Sequence, residues 1–168
     1  MDKNLKTLEL DKVLNLLSKE ASCKEAKDIT KNLTPSNDIN RVNELLKETY
    51  DAHMLIGRFG SPSFSDICDV NSEIARARVN GMLTMAELLK IARLLKALRG
   101  LKEWRKKSDN LSTVLDPMFD VISPNKYFEE KIFNSIISDD EMADEASYEL
   151  SLIRRKMRKL SDDVRAKM

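Results

Sequence analysis

The stretch Thr84–Trp104, TMAELLKIARLLKALRGLKEW, leaves a chain few ways to fold around it. Leu88, Leu89, Ile91, Ala92, Leu94, Leu95, Leu98, Leu101 and Trp104 recur at helical spacing but fill more than one stripe. A helix apolar over that much of its circumference has to be covered on two sides, which predicts a central helix with amphipathic neighbours leaning on it. Thr84 and Glu87 stand at capping-box spacing, where hydroxyl and carboxylate each satisfy an orphan backbone donor. Gly81 is placed to stop the preceding helix. Lys90, Arg93, Lys96 and Arg99 are expected to keep one narrow edge in water, and Leu95 is an expected core position.

A chain of 168 residues, with four Gly, four Pro and 34% charged residues, has the profile of long helices with solvated faces. The fold class expected is all-α: a multi-helix body over residues 1–146, then one long helix from 147 to 168. The first ten residues hold no run suited to a signal peptide, and no stretch reaches ~18 uncharged apolar residues, so neither export nor membrane spanning is supported. Cys23 and Cys68 lack metal-type spacing and read as reduced thiols of a cytoplasmic protein.

Along the chain, Leu5, Leu8, Val13, Leu14 and Leu17 begin a first helical pair, with Asp11 as a possible cap. Ser22 restarts the helix, and Ala26, Ile29 and Leu33 face inward until Thr34-Pro35. A helix over residues 38–56 is expected to bury Ile39, Val42, Leu46, Thr49, His53 and Ile56, backed by Leu45 and Ala52. Residues 57–65 (GRFGSPSFS) form the longest expected loop. Asp69 then caps a helix that runs to Asn80 and buries Val70, Ile74 and Ala77. Residues 111–121 predict a further helix interrupted by Pro117, and Ser123-Pro124 opens another with Tyr127, Phe128, Ile132, Phe133, Ile136 and Ile137 on a wide apolar face. The acidic stretch 138–145 reads as a turn containing a two-stranded bend.

Few residues suggest chemistry. His53, the single histidine, has no ligand-spaced partner and reads as a core-edge residue. Asp139, Asp140, Glu141, Asp144 and Glu145 lack the alternation and central Gly of a calcium loop, and read as solvated or as favourable charge near the start of the next helix. Phe128-Glu129-Glu130 spells the Phe-x-Glu of mismatch readers, but inside an amphipathic helix whose buried face includes Phe128. Arg58, Phe59, Pro62 and Phe64 either dock a partner or tuck their aromatics under the loop. No Gly-x-x-x-x-Gly-Lys-Ser/Thr occurs, so nucleotide hydrolysis has no housing here, and no residue is assigned as catalytic, cofactor-binding or metal-binding.

In the last helix, Leu150, Ile153, Met157, Leu160 and Val164 alternate by three and four, the seam of a coiled coil. The pattern is still running at Met168, and the expectation is an N-terminal piece whose returning antiparallel arm lies downstream. Residues 151–168 carry seven cations and two anions, net +5. That charge reads either as an ordinary solvated face or as a phosphate-contacting one, with Arg154, Arg155, Arg158 and Lys159 the candidate nucleic-acid-binding residues.

Three segments, TLELDKVLNLLSKEAS, the block from Ser61 to Trp104 and DEMADEASYELSLIRRKMRKL, resemble the N-terminus of the second MutS branch of the mismatch-repair family. These are bacterial MutS-like proteins with a C-terminal Smr nuclease domain. The most specific pieces are Asp69-Val70 followed by Gly81-Met82-Leu83-Thr84, and Asp144 with Ala146-Ser147, Leu150 and Ile153-Arg154-Arg155. Asp140 stands where that branch commonly has a Gly.

The resemblance implies that residues 1–146 are a helical core or lever domain and 147–168 the first arm of a coiled-coil clamp. It further implies a full-length homodimer that hydrolyses ATP with Mg, cuts as an endonuclease, and either binds branched DNA to suppress recombination or acts on ribosomal RNA of stalled or collided ribosomes. None of that branch's ATP-binding or nuclease motifs has a counterpart here. The competing expectation, from a different class, is a free-standing helical interaction module whose last helix pairs with another protein.

Overall fold

In a computed structural model, residues 7–108 and 110–166 are described. Among the described residues the fold is all-α apart from one small ribbon, the class expected from the composition. The helices are α1 (Leu10–Glu20), α2 (Lys24–Lys31), α3 (Ile39–Phe59), α4 (Asn71–Arg78), α5 (Met85–Lys106), α6 (Asp116–Asp120) and α7 (Lys126–Ser135). A ribbon of β1 (Ile136–Ser138) and β2 (Glu141–Met142) and a 3-10 turn (Asp144–Ala146) then lead into α8 (Tyr148–Ala166). Two compact units form, one from Met1–Asp69 with Lys96–Pro124, the other from Val70–Leu95 with Asn125–Met168. The long helix α5 contributes residues to both.

In the second unit, α4 ends by a backbone device. Asn80 takes the left-handed conformation (φ 58°), and the Gly81 N–H donates to the Arg76 carbonyl at 2.9 Å. Gly81 is needed here for closeness rather than for its φ, because a Cβ would lie 2.6 Å from Arg76 Cγ and 2.9 Å from its carbonyl oxygen. Three residues on, the capping box forms as expected: the Thr84 N–H donates to Glu87 (2.9 Å) and the Glu87 N–H to the Thr84 hydroxyl (3.3 Å). Glu87 also accepts from Arg76 at 2.6 Å, tying the end of α4 to the start of α5. The Thr84 backbone first, and Arg76 with it, hold the Glu87 carboxyl below the ordinary carboxylate range. Leu89 and Ala92 of α5 then join Ile132 and Ile136 in the core, with Met85 and Leu88 packed against them.

In the first unit, the other half of α5 buries Leu101 and Trp104. The Trp104 indole N–H donates to the Gly60 carbonyl at 3.0 Å, and its ring tilts against Phe119 at 6.1 Å. Gly60 (φ 78°) closes α3, a backbone conformation that suits glycine alone. Arg105 anchors the chain after α5: it donates to the carbonyls of Ser108 (3.0 Å) and Leu111 (2.6 Å), to the Ser108 hydroxyl (2.6 Å), and to Asp116 in an ion pair. Asp116 in turn accepts from the Thr113 N–H and hydroxyl. The buried Asp51 of α3 accepts from the Val114 N–H at 3.0 Å, 63 residues away.

Several expectations are corrected by these contacts. Around α5, Lys90 and Arg99 are half-buried, Lys90 bonding Glu73 at 2.6 Å and Arg99 bonding Glu103 at 3.1 Å, so the wet edge is Arg93, Lys96, Gly100 and Glu103. Leu95 is half-buried, and Leu89 and Ala92 take the core positions. The buried stripe of α3 is Asp51 and Leu55, flanked by Glu48, Ala52 and Phe59, while Ile39, Leu46, Thr49, His53 and Ile56 face solvent. Asp51 explains the rotation, since a carboxylate that must meet Val114 turns its own face of the helix inward.

Helix α3 also runs through Gly57 to Phe59, capped at its start by Asp38, whose carboxylate accepts from the Asn40 N–H at 2.9 Å. Asp11 lies in the first turn of α1 rather than capping it. Leu5 lies outside the described residues. Ile29 and Leu33 are exposed, and α4 starts after Val70 and buries Glu73, leaving Ile74 and Ala77 exposed. Residues 111–115 are held by the Asp116 and Asp51 bonds instead of a helix, so only Asp116–Asp120 is helical, with Pro117 in its first turn. On α7, capped by Asn125, the side chains buried are Glu129 and Ile132, and Tyr127, Phe128 and Phe133 are exposed, as is Ile137 of β1.

The packing of α3 makes a contrast that can be measured. Leu55 is 1% exposed and Leu46 62%. Leu55→Ala should cost about 2–5 kcal/mol and Leu46→Ala less than about 0.5 kcal/mol by urea unfolding, the reverse of what the sequence periodicity suggests. The polar anchors make a second. Lys90 first, with Ser72, holds Glu73 down to about 2, and Thr113 first, with Arg105, holds Asp116 down to about 2. Both carboxyls sit lower folded than unfolded, so their contribution is present above about pH 4 and is lost as pH falls toward about 2. Asp116→Asn should therefore flatten the stability profile across that acid window, read from urea midpoints at stepped pH.

Candidate nucleic-acid interface at the root of the last helix

The acidic stretch folds as the sequence suggests. Ile136 pairs with Met142 and Ser138 with Glu141, antiparallel, with a bulge between Ile136 and Ser138. Asp140 holds no left-handed backbone conformation, so a side chain is tolerated in the bend. The chain then makes the 3-10 turn, and the Ser147 hydroxyl accepts from the Leu150 N–H at 3.1 Å, capping α8.

Asp144, at the start of that turn, is not left in water. Arg154 and Arg158, one turn apart on α8, both converge on its carboxylate: Arg154 Nη1 reaches Oδ1 at 2.5 Å, and Arg158 Nη2 meets Oδ2. Arg154 Nη1 also donates to the Met142 carbonyl of β2 at 2.8 Å. Arg154 chiefly, then Arg158, keeps the Asp144 carboxyl below the ordinary range against the opposing effect of desolvation. Of the four candidate cations, Arg154 and Arg158 are thus gathered on one carboxylate. Arg155 and Lys159, a turn apart on the neighbouring row, are exposed.

Beyond this root α8 is bare. Leu150 is half-buried, while Ile153, Met157, Leu160 and Val164 are exposed, and every described residue from Arg155 to Ala166 faces solvent. At 100° per residue, the apolar seam and the Arg155–Lys159 row lie on roughly opposite sides of the helix. A helix presenting such a seam to water is marginal by itself. The geometry therefore leaves one face suited to a partner helix and, behind it, cations that a seam partner would not cover.

The other singled-out residues form no second centre. His53 is exposed on α3 rather than at a core edge. Phe128 is exposed and Glu129 buried, reversing the expected burial within Phe-x-Glu. Phe59 is half-buried, and Phe64 borders a hollow of about 270 Å³ at the α1–α2 connection with Ala21, Cys23 and Ala26. Among the described residues no three His, Cys, Asp or Glu side chains gather as metal ligands, neither cysteine is in a disulfide, and no helix is long and apolar enough to cross a membrane. Sequence reasoning missed the Asp144 tie; its signal was the i, i+4 pair Arg154 and Arg158 lying ten and fourteen residues beyond a single acid.

No family model matches the chain. Curated relatives do, each named Endonuclease MutS2. The protein of Acetivibrio thermocellus is 35% identical over 171 residues, that of Ruminiclostridium cellulolyticum 34% over 169, and that of Clostridium botulinum (strain ATCC 19397 / Type A) 36% over 169. Each match covers 99% of this chain and 21% of the relative, so the chain spans about a fifth of the length of the curated relatives it matches.

Proposed function

We propose that this MutS2-like chain is the N-terminal lever and clamp-root segment of a nucleic-acid-binding ATPase and endonuclease, and that it acts without a catalytic centre of its own. The observation that carries the reading is the similarity along nearly the whole chain to proteins named Endonuclease MutS2. The exposed seam of α8 supports it, because a clamp arm needs a second helix along Ile153, Met157, Leu160 and Val164. So do the outward apolar side chains of α1–α3, among them Leu16, Ile29, Ile39 and Leu46, which suit coverage by the rest of a longer protein.

The division of labour follows from what the residues can do. The chain carries no Gly-rich phosphate loop, and in this reading ATP hydrolysis with Mg and strand cutting are assigned to other parts of a full-length homodimer. The basic back of α8, with Arg155 and Lys159 outermost, contacts phosphates of branched DNA, the ligand whose engagement suppresses recombination. Ribosomal RNA of stalled ribosomes carries the same phosphodiester chemistry and is the second ligand to compare.

Binding of a four-way DNA junction and of a ribosomal RNA fragment, followed over a salt series, tests this. Arg155→Gln with Lys159→Gln should reduce the log–log salt slope on the DNA by up to about two, at close to 0.9 per phosphate contact. An unchanged slope would show that this row is only a solvated helix face. Absence of binding to either nucleic acid at low salt would favour the helical protein-interaction module instead.

A further inference from the structure

We infer that Asp144 is a built-in competitor for nucleic-acid phosphate at Arg154 and Arg158, so that this pair forms a masked phosphodiester site at the root of α8. The inference rests on the phosphate-contacting reading of α8 and adds its regulation. Two guanidinium groups one helical turn apart are spaced to share a single anion, and here they do: each takes one oxygen of the same carboxylate. A phosphodiester offers the same two acceptor oxygens and one negative charge. It fits the place that Asp144 holds, while the Met142 carbonyl keeps Arg154 oriented from behind at 2.8 Å.

The tie is loose on one side. Arg158 is 69% exposed along its side chain and Arg154 32%, so a ligand approaching α8 meets the Arg158 guanidinium first. Exchange of one oxyanion for another costs no net ion pair: Asp144 returns to water as the phosphate arrives. The adjacent Arg155 and Lys159 lie on the next row of the helix, where a backbone running along α8 would meet all four cations only after Asp144 has let go. Of the four candidate cations, two are unpaired with Asp144 while the mask is in place, and all four face the ligand once it is removed.

Titrating random-sequence duplex DNA over a salt series, with the 168-residue chain and its variants, reads this directly. Asp144→Asn should bind several-fold tighter than the wild type and steepen the log–log salt slope by up to about two, the contribution of two further phosphate contacts. The gain should vanish when Arg154→Gln and Arg158→Gln are added. Asp144→Ala serves as a second variant if Asp144→Asn loses helicity by circular dichroism. An unaltered slope in Asp144→Asn, a gain that persists without Arg154 and Arg158, or no binding by any variant would overturn the inference. Insensitivity to Arg155→Gln with Lys159→Gln, alongside a gain in Asp144→Asn, would instead count against the preceding reading alone.

Discussion

A helix with apolar side chains round most of its circumference is soluble only when most of it is covered, and α5 imposes that condition on everything near it. Its first half places Leu89 and Ala92 against Ile132 and Ile136, and its second half buries Leu101 and Trp104. Burial of this kind is non-directional. Register comes from the polar bonds at the helix ends: the Thr84–Glu87 capping box with its arm to Arg76, and the Trp104 indole on the Gly60 carbonyl. Each needs its partner within a few tenths of an ångström, whereas an apolar contact tolerates sliding.

The buried polar groups sharpen this division. Asp51, Glu73 and Glu129 occupy places that apolar residues would hold in a simpler helical body. Asp51 holds the non-helical stretch before α6, Glu73 ties α4 to Lys90, and Arg105 gathers the turn after α5. Such ties are costly to break one-sidedly, since the partner is left buried without a bond. They fix where irregular backbone runs, which a core of small amphipathic helices would otherwise leave open.

How much of this could be read from the chain follows from the range of each interaction. The capping box, the stop before α5, the acidic hairpin and the start of α8 are settled by residues within a few positions of one another, and all were legible. The inward face of α3 was not: Ile39, Leu46 and Ile56 make a plausible stripe, and the stripe that wins holds Asp51, whose partner is 63 residues away. Helix α7 shows the same effect, with Glu129 inside and Tyr127 outside. The candidate cations of α8 were legible as charge, but that Arg154 and Arg158 share Asp144 required the hairpin and the 3-10 turn to bring the carboxylate back alongside the helix.

Helix α5 is the settled element of the chain, whereas the far end of α8 is bare on every side. Amide hydrogen exchange measured residue by residue tests that contrast most directly. Amides from Leu89 to Trp104 should be among the slowest to exchange, and those from Met157 to Ala166 should exchange at rates close to those of an unstructured peptide. Strong protection along Met157–Ala166 in the dilute chain, or fast exchange at Ala92 and Leu101, would contradict it.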